Sequence, residues 1–365
     1  MRLLICILIL CPFLRGETGD MGLEDELASL TDVYAVEDAL GAEERQICGE
    51  LALDGSYDVK GAVERLWTSF RDAIVQRVEN RARFVTMLLG VEIACALGLA
   101  LCPEKKAAQM IQLAGCCVAG TVLAGGTESA IGDAIAALDE LAAYSKVALP
   151  VFFTAAATSG AAVSSSARYA AVCLAADVYM GLTGALIMPL IRAFLALSVS
   201  AALFGAPLLR SAARAAKWCI VTLMTATTLA FSVFLSLSGA LTGSADALAV
   251  KTTRTVISTA LPVIGGTISD LSASLLSAAA LIRDTLGAAI LIGICAICIA
   301  PFALLLVEHL SLKVAAAAAE MLCPGGLSCM LGDVGTGFGM LLGLVGSYSI
   351  LLFLSIVSGL RAVVP

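Results

Sequence analysis

The sequence predicts an all-α fold: a polytopic helical membrane protein with about eight spans plus a broken or re-entrant segment, after an N-terminal signal peptide. Three observations lead there. Of 365 residues, 60% are hydrophobic and only 14% are charged, whereas water-soluble chains carry roughly 25% charge. The mean hydropathy is +0.98, more apolar surface than a water-soluble domain can bury. Apolar runs near the ~20 residues that a helix needs to cross a hydrocarbon core recur along the chain, and the alternating pattern of a membrane barrel does not.

The elements follow in order. Met1 and Arg2 precede the apolar run LLICILILCPFL, and Gly16, Thr18 and Gly19 offer small residues for cleavage, so residues 1–19 read as a signal peptide. Residues 20–60 carry twelve Asp and Glu against only Arg45 and Lys60, a self-repelling composition with too little apolar mass for a core of its own. They are expected to be an acidic flexible segment. Within 61–83, Val63, Trp67, Phe70, Ile74 and Val78 recur at helical spacing with charges on the other faces, predicting an amphipathic helix.

Residues 84–365 form the polytopic membrane domain. Its predicted spans are 84–102, 107–125, 147–163, 169–191, 193–209, 219–241, 285–306 and 338–360. Between the second and third, the acidic stretch 126–146 reads as an interfacial helix outside the membrane. Counting spans from an exported N-terminus puts Lys105, Lys106, Arg168 and the basic stretch 210–217 together on the cytoplasmic side. Arg77, Arg81 and Arg83 oppose this orientation.

Most of the chemistry of enzymes is missing. There is no GxxxxGK[ST] loop, and GDVGTGFG at 332–339 has no preceding strand, so it reads as a flexible lead-in to a helix. His309 is the sole histidine, which leaves no multi-histidine metal site; with Glu308 it reads as a polar pair where a span meets the interface. Neither it nor Ser238 has the surroundings of a protease site. No catalytic residue, metal, cofactor or nucleic-acid partner is expected. Most of the cysteines lie in apolar segments and serve as packing residues, including Cys295 and Cys298 of CAIC. Cys323 and Cys329 bracket a Pro-Gly-Gly turn that could close a small disulfide if it faces outward.

Two features point to function. Glu92 and Asp177 lie within apolar segments, where an ionisable group lines a polar path or fixes helix packing. The stretch KTTRTVISTALPVIGGTISD, residues 251–270, crowds Lys251, Thr252, Arg254, Pro262, Gly265, Gly266, Ser269 and Asp270 into one apolar region. Pro262 removes a backbone donor and the glycine pair loosens the helix, so such a segment needs the shelter of protein or water.

That stretch resembles the signature of the stage III sporulation protein AE family, approximately K-T-x-[KR], an apolar run, then P-V-[IV]-G-G-x-[IL]-S-D. Downstream, SLLSAAALIRDTLG follows the family only loosely, with Arg283 and Asp284 where Lys and Asn are usual. The resemblance implies a non-enzymatic, multi-pass subunit of the channel complex that joins mother cell and forespore during sporulation. It would sit in the mother-cell membrane around the forespore, in the lipid bilayer, with the other stage III sporulation A proteins and stage II sporulation protein Q as partners. The motif would serve the channel or its assembly. Residue chemistry alone leaves open a self-contained, ion-coupled secondary transporter using Glu92, Asp177 or Asp270.

Overall fold

Gly205 with Pro207 and Pro324 with Gly325 mark helix ends, while Pro150 and Pro301 lie inside helices. The structure, a computed structural model, describes residues 34–49, 57–101, 104–260 and 265–360; side chains are described for these apart from Tyr34, Lys105, 160–164 and 235–279. Among the described residues all regular structure is helical: α1 (Tyr34–Asp38), α2 (Ala42–Cys48), α3 (Val59–Leu101), α4 (Lys105–Ala156), α5 (Ala162–Leu182), α6 (Met188–Phe204), α7 (Pro207–Ala260), α8 (Gly265–Leu322) and α9 (Gly326–Leu360). The fold is the all-helical one expected. The predicted signal peptide lies outside the described residues.

Six of these runs are long and apolar enough to cross a membrane: Val59–Leu101, Lys106–Ser159, Ser165–Phe204, Pro207–Phe234, Ala280–Leu322 and Gly326–Leu360. The eight predicted apolar windows are thus carried on six runs, because helices continue where the sequence suggests loops. The stretch 126–146 is the middle of the 52-residue α4 and not a separate interfacial helix. Its periodicity resembles that of a surface helix because charges such as Glu128 sit on an exposed face, where Arg192 of α6 approaches to 3.6 Å.

The chain reverses between Phe153 and Tyr169, whose rings lie 6.0 Å apart. A π-helical turn, Ala157–Ala161, falls in this reversal. A second one, Thr183–Ile187, precedes Pro189 and absorbs the missing backbone donor of that proline. At the end of α6, Gly205 takes a left-handed φ of 63° and donates its N–H to Ala201 at 3.1 Å. Pro207 then opens α7, the N-terminal proline that helices tolerate.

Helix α9 is central. Of its most apolar window 67% is buried, against 11% for α7 and 17% for α3, so those two present apolar side chains outward. Large exposed examples include Leu97 and Leu101 on α3, Met110 on α4, Trp218 and Leu229 on α7 and Met321 on α8. Such a surface is stable against lipid and not against water. Three glycines of α9 face its antiparallel neighbour α8 closely. A Cβ at Gly335 would meet Leu312 at 3.1 Å, one at Gly339 would meet His309 at 2.8 Å and one at Gly346 would meet Phe302 at 3.3 Å. The GDVGTGFG stretch is therefore the interior of a helix, not a flexible lead-in, and its small residues let two backbones approach closely.

Part of the acidic segment is also ordered. α1 and α2 bury Val36, Leu40 and Cys48 against the bundle. Arg65 of α3 donates Nε–H to the carbonyl of Ile47 at 2.9 Å, and the Tyr57 hydroxyl donates to the carbonyl of Cys48 at 2.8 Å.

Candidate functional site

Three turns gather at one end of the bundle: between α3 and α4, between α6 and α7, and between α8 and α9. Gln112 Nε2 of α4 donates to the carbonyl of Pro324 at 3.2 Å, and a Cβ on Gly326 would meet the Ala202 carbonyl oxygen at 3.0 Å. Lys106, Arg210, Arg214, Lys217 and Lys313 belong to this end by their place in the helices. Arg168, expected on the same side, is at the other one. It is buried on α5 and donates to the carbonyl of Ser358, near the C-terminus of α9. The uninterrupted α4 is the reason, since it carries the chain from one end of the bundle to the other without turning back.

The structure does not bring the sequence-predicted residues together. Glu92 is fully buried on α3, and neither carboxylate oxygen has a hydrogen-bond partner. Asp177 is exposed on the surface of α5 and does not face the bundle interior. Lys251, Thr252 and Arg254 lie in the last turns of α7, while Gly265, Gly266, Ser269 and Asp270 occupy the first turns of α8. Pro262 lies outside the described residues. The helix that begins at Gly265 continues without interruption through 282, so neither the glycine pair nor Asp270 ends it.

Gly287 of α8 faces Leu360, the last residue of α9, where a Cβ would meet its Cδ2 at 2.8 Å. Along the chain Gly265 comes 22 residues before Gly287 in α8, whereas Glu92 lies near the turn-bearing end, about 14 Å of helix path from the C-terminus of α3.

Sequence reasoning missed the polar groups that join helices inside the bundle. Arg81 of α3 forms a hydrogen-bonded ion pair with Glu308 of α8, and its guanidinium lies 3.7 Å from the Phe84 ring centroid. A cavity of about 140 Å³ adjoins the pair, lined also by Arg77 and Asn80. Glu308 and His309 do not act as a pair: His309 Nδ1 donates to the carbonyl of Gly335 at 2.6 Å, on the other side of α8. Lys313 Nζ donates to the Gly332 carbonyl and to Thr336 Oγ1, both at 2.9 Å. The Tyr179 hydroxyl donates to the carbonyl of Leu344 at 2.9 Å and also meets Ser347. Only the charges themselves were visible in the sequence; each partner is a carbonyl or side chain far along the chain.

Among the described residues no group of three or more His, Cys, Asp or Glu side chains is arranged to hold a metal ion. Cys323 is buried and Cys329 exposed, and both are free thiols. Cys298 packs as a small polarisable group against the Ser349 hydroxyl, 3.0 Å away.

A family model described as stage III sporulation protein AE matches residues 50–360. No curated protein and no solved structure matches the chain.

Proposed function

Because the chain belongs to the stage III sporulation protein AE family, we propose that it is a membrane-embedded subunit of the channel or secretion-like complex linking mother cell and forespore, required for forespore development after engulfment. On this reading it lies in the mother-cell membrane around the forespore and assembles with the other stage III sporulation A proteins and stage II sporulation protein Q. No enzymatic step is assigned to it. The family match supports a sporulation protein, and six apolar runs support a membrane protein.

The observation that supports the finer reading is that the family match, residues 50–360, spans the motif residues Lys251, Thr252, Arg254, Gly265, Gly266, Ser269 and Asp270. Outward apolar faces on α3 and α7 leave further surface for lipid or for partner helices. The alternative, an ion-coupled transporter, needs its ionisable groups around one midplane site. Glu92 is buried near one end and Asp177 is on the surface, which weighs against it.

Asp270→Ala and Gly266→Leu are expected to arrest spore formation after engulfment while the protein still accumulates in the membrane. Heat-resistant spore counts and membrane immunoblots measure both, and normal counts from both variants sink the motif's role. In proteoliposomes the chain alone is expected to show no ion-driven uptake; robust uptake without partners favours the transporter.

A further inference from the structure

A second cavity, of about 200 Å³, opens at the turn-bearing end between α6, α7 and α9, away from the motif. Arg210, Arg214 and Lys217 line it, spaced four and three residues apart so that they share one face of α7. The opposing wall supplies Asp333 of α9, which Lys217 and Arg210 attract through space, as does Lys313 of α8. Three cations thus line the cavity with one carboxylate.

Ser198 makes the cavity a built site. It is 2% exposed, lines the cavity, and its hydroxyl has no hydrogen-bond partner. That departs from the other buried serines of these helices: Ser349 and Ser355 donate to the carbonyl four residues back, at 2.8 and 2.7 Å, and Ser328 to that of Gly325 at 3.1 Å. A buried hydroxyl without a partner is costly unless something outside the chain supplies one.

We propose that this cavity binds the phosphate headgroup of an anionic lipid. Charge selects a phosphate, with Arg210 and Arg214 suited to its oxygens, Lys217 as a point charge and Ser198 as a neutral donor. The surroundings select lipid over the free anion. Phe204 and Leu208 flank the cavity's turn and Trp218 follows Lys217, and all three are among the most exposed apolar side chains of the molecule, at 77%, 79% and 69%. Acyl chains attached to the phosphate would lie along these residues, and a tryptophan at the level of the headgroups is a common interfacial anchor. The inference rests on the membrane embedding of the helices, not on the channel-complex reading.

The test uses the full chain in nanodiscs of phosphatidylcholine, with increasing phosphatidylglycerol or cardiolipin, and reads Trp218 fluorescence in a Trp67→Phe background together with lipid retained in native mass spectra. Saturable binding is expected. Replacing Arg210, Arg214 and Lys217 together by Gln should weaken it about tenfold or more, Ser198→Ala several-fold, and Asp333→Asn should strengthen it by removing the opposing charge. A control, Lys105→Gln with Lys106→Gln, changes charge at the same end outside the cavity and should have little effect. Equal losses in the control and the triple variant would mean diffuse attraction and overturn the site. Non-saturable binding, or a Asp333→Asn variant that binds more weakly, overturns it as well. If millimolar inorganic phosphate in neutral nanodiscs gives the same saturable Trp218 response, the ligand is the free anion and the lipid assignment falls. Because these readouts need no sporulation partner, their failure is distinguishable from failure of the channel-complex reading.

Discussion

At the scale of single residues, the bundle uses its charges as fasteners. Arg81 and Glu308 retain only 21% and 13% of their side-chain exposure, so their mutual bonding offsets the cost of leaving water. Glu308→Gln leaves that guanidinium without its counter-charge and is expected to lower stability by about 3 kcal/mol, read by thermal unfolding in detergent. The double change Arg81→Leu with Glu308→Leu should recover most of the loss, because it removes both charges at once. Glu92 behaves in the opposite way: with neither oxygen partnered, Glu92→Leu is expected to raise thermal stability by about 1–3 kcal/mol. A stabilised variant that fails to support sporulation would show that the carboxyl is kept for a partner or a proton. Glu92 was legible in the sequence because a carboxylate inside an apolar window is conspicuous. Asp177 was equally conspicuous but lies on the outer face, a distinction that depends on the rotation of α5. The Arg81 pairing was hidden, since its partner lies 227 residues further along the chain.

At the scale of elements, the helical class and most apolar windows could be read directly, whereas connections could not. Hydropathy drops over 126–146 and suggests a separate interfacial helix outside the membrane, yet nothing there ends a helix, and α4 runs on to Ala156. Helix ends were better marked by Gly205 with Pro207 and by Pro324 with Gly325 than by charge. The α9 glycines were visible as a pattern, but their purpose depended on the register of α8. Gly335→Ile is expected to destabilise by about 1–3 kcal/mol, because the added Cβ meets Leu312 at 3.1 Å and the α8 backbone at 3.6 Å, leaving no flexible tip to yield. Gly132→Ala in α4 is its control: the site is open, and the change should stabilise by about 0.5–1 kcal/mol. Thermal unfolding of the two variants side by side separates close packing from general tolerance of glycine replacement.

At the scale of the whole molecule, the N-terminal helices strap the bundle. Burial, helped by the nearby Cys295 and Glu44 and opposed by Arg65, pushes the Cys48 thiol from about 9.0 up to about 12. A raised thiol means the docked state prefers the protonated form, so docking is fully supported below pH ~9 and weakens as pH rises through ~12. Cys48 is expected to resist maleimide at pH 8 in the intact protein, and Arg65→Ala, which removes the bond to Ile47, should speed its labelling several-fold. Rapid labelling of the unaltered chain would contradict the strap. Composition pointed to a loose acidic segment because its apolar residues, Val36 and Leu40 among them, find their core only by packing on α3, α4 and α8.

The close contact of α8 and α9 has a mechanical corollary. Gly335, Gly339 and Gly346 bring their backbones up against Leu312, His309 and Phe302 with no room for an added Cβ, so the two helices can slide past each other only by lifting apart. They are thereby geared to move as one rigid rod, and any displacement of one is handed on undiminished to the other.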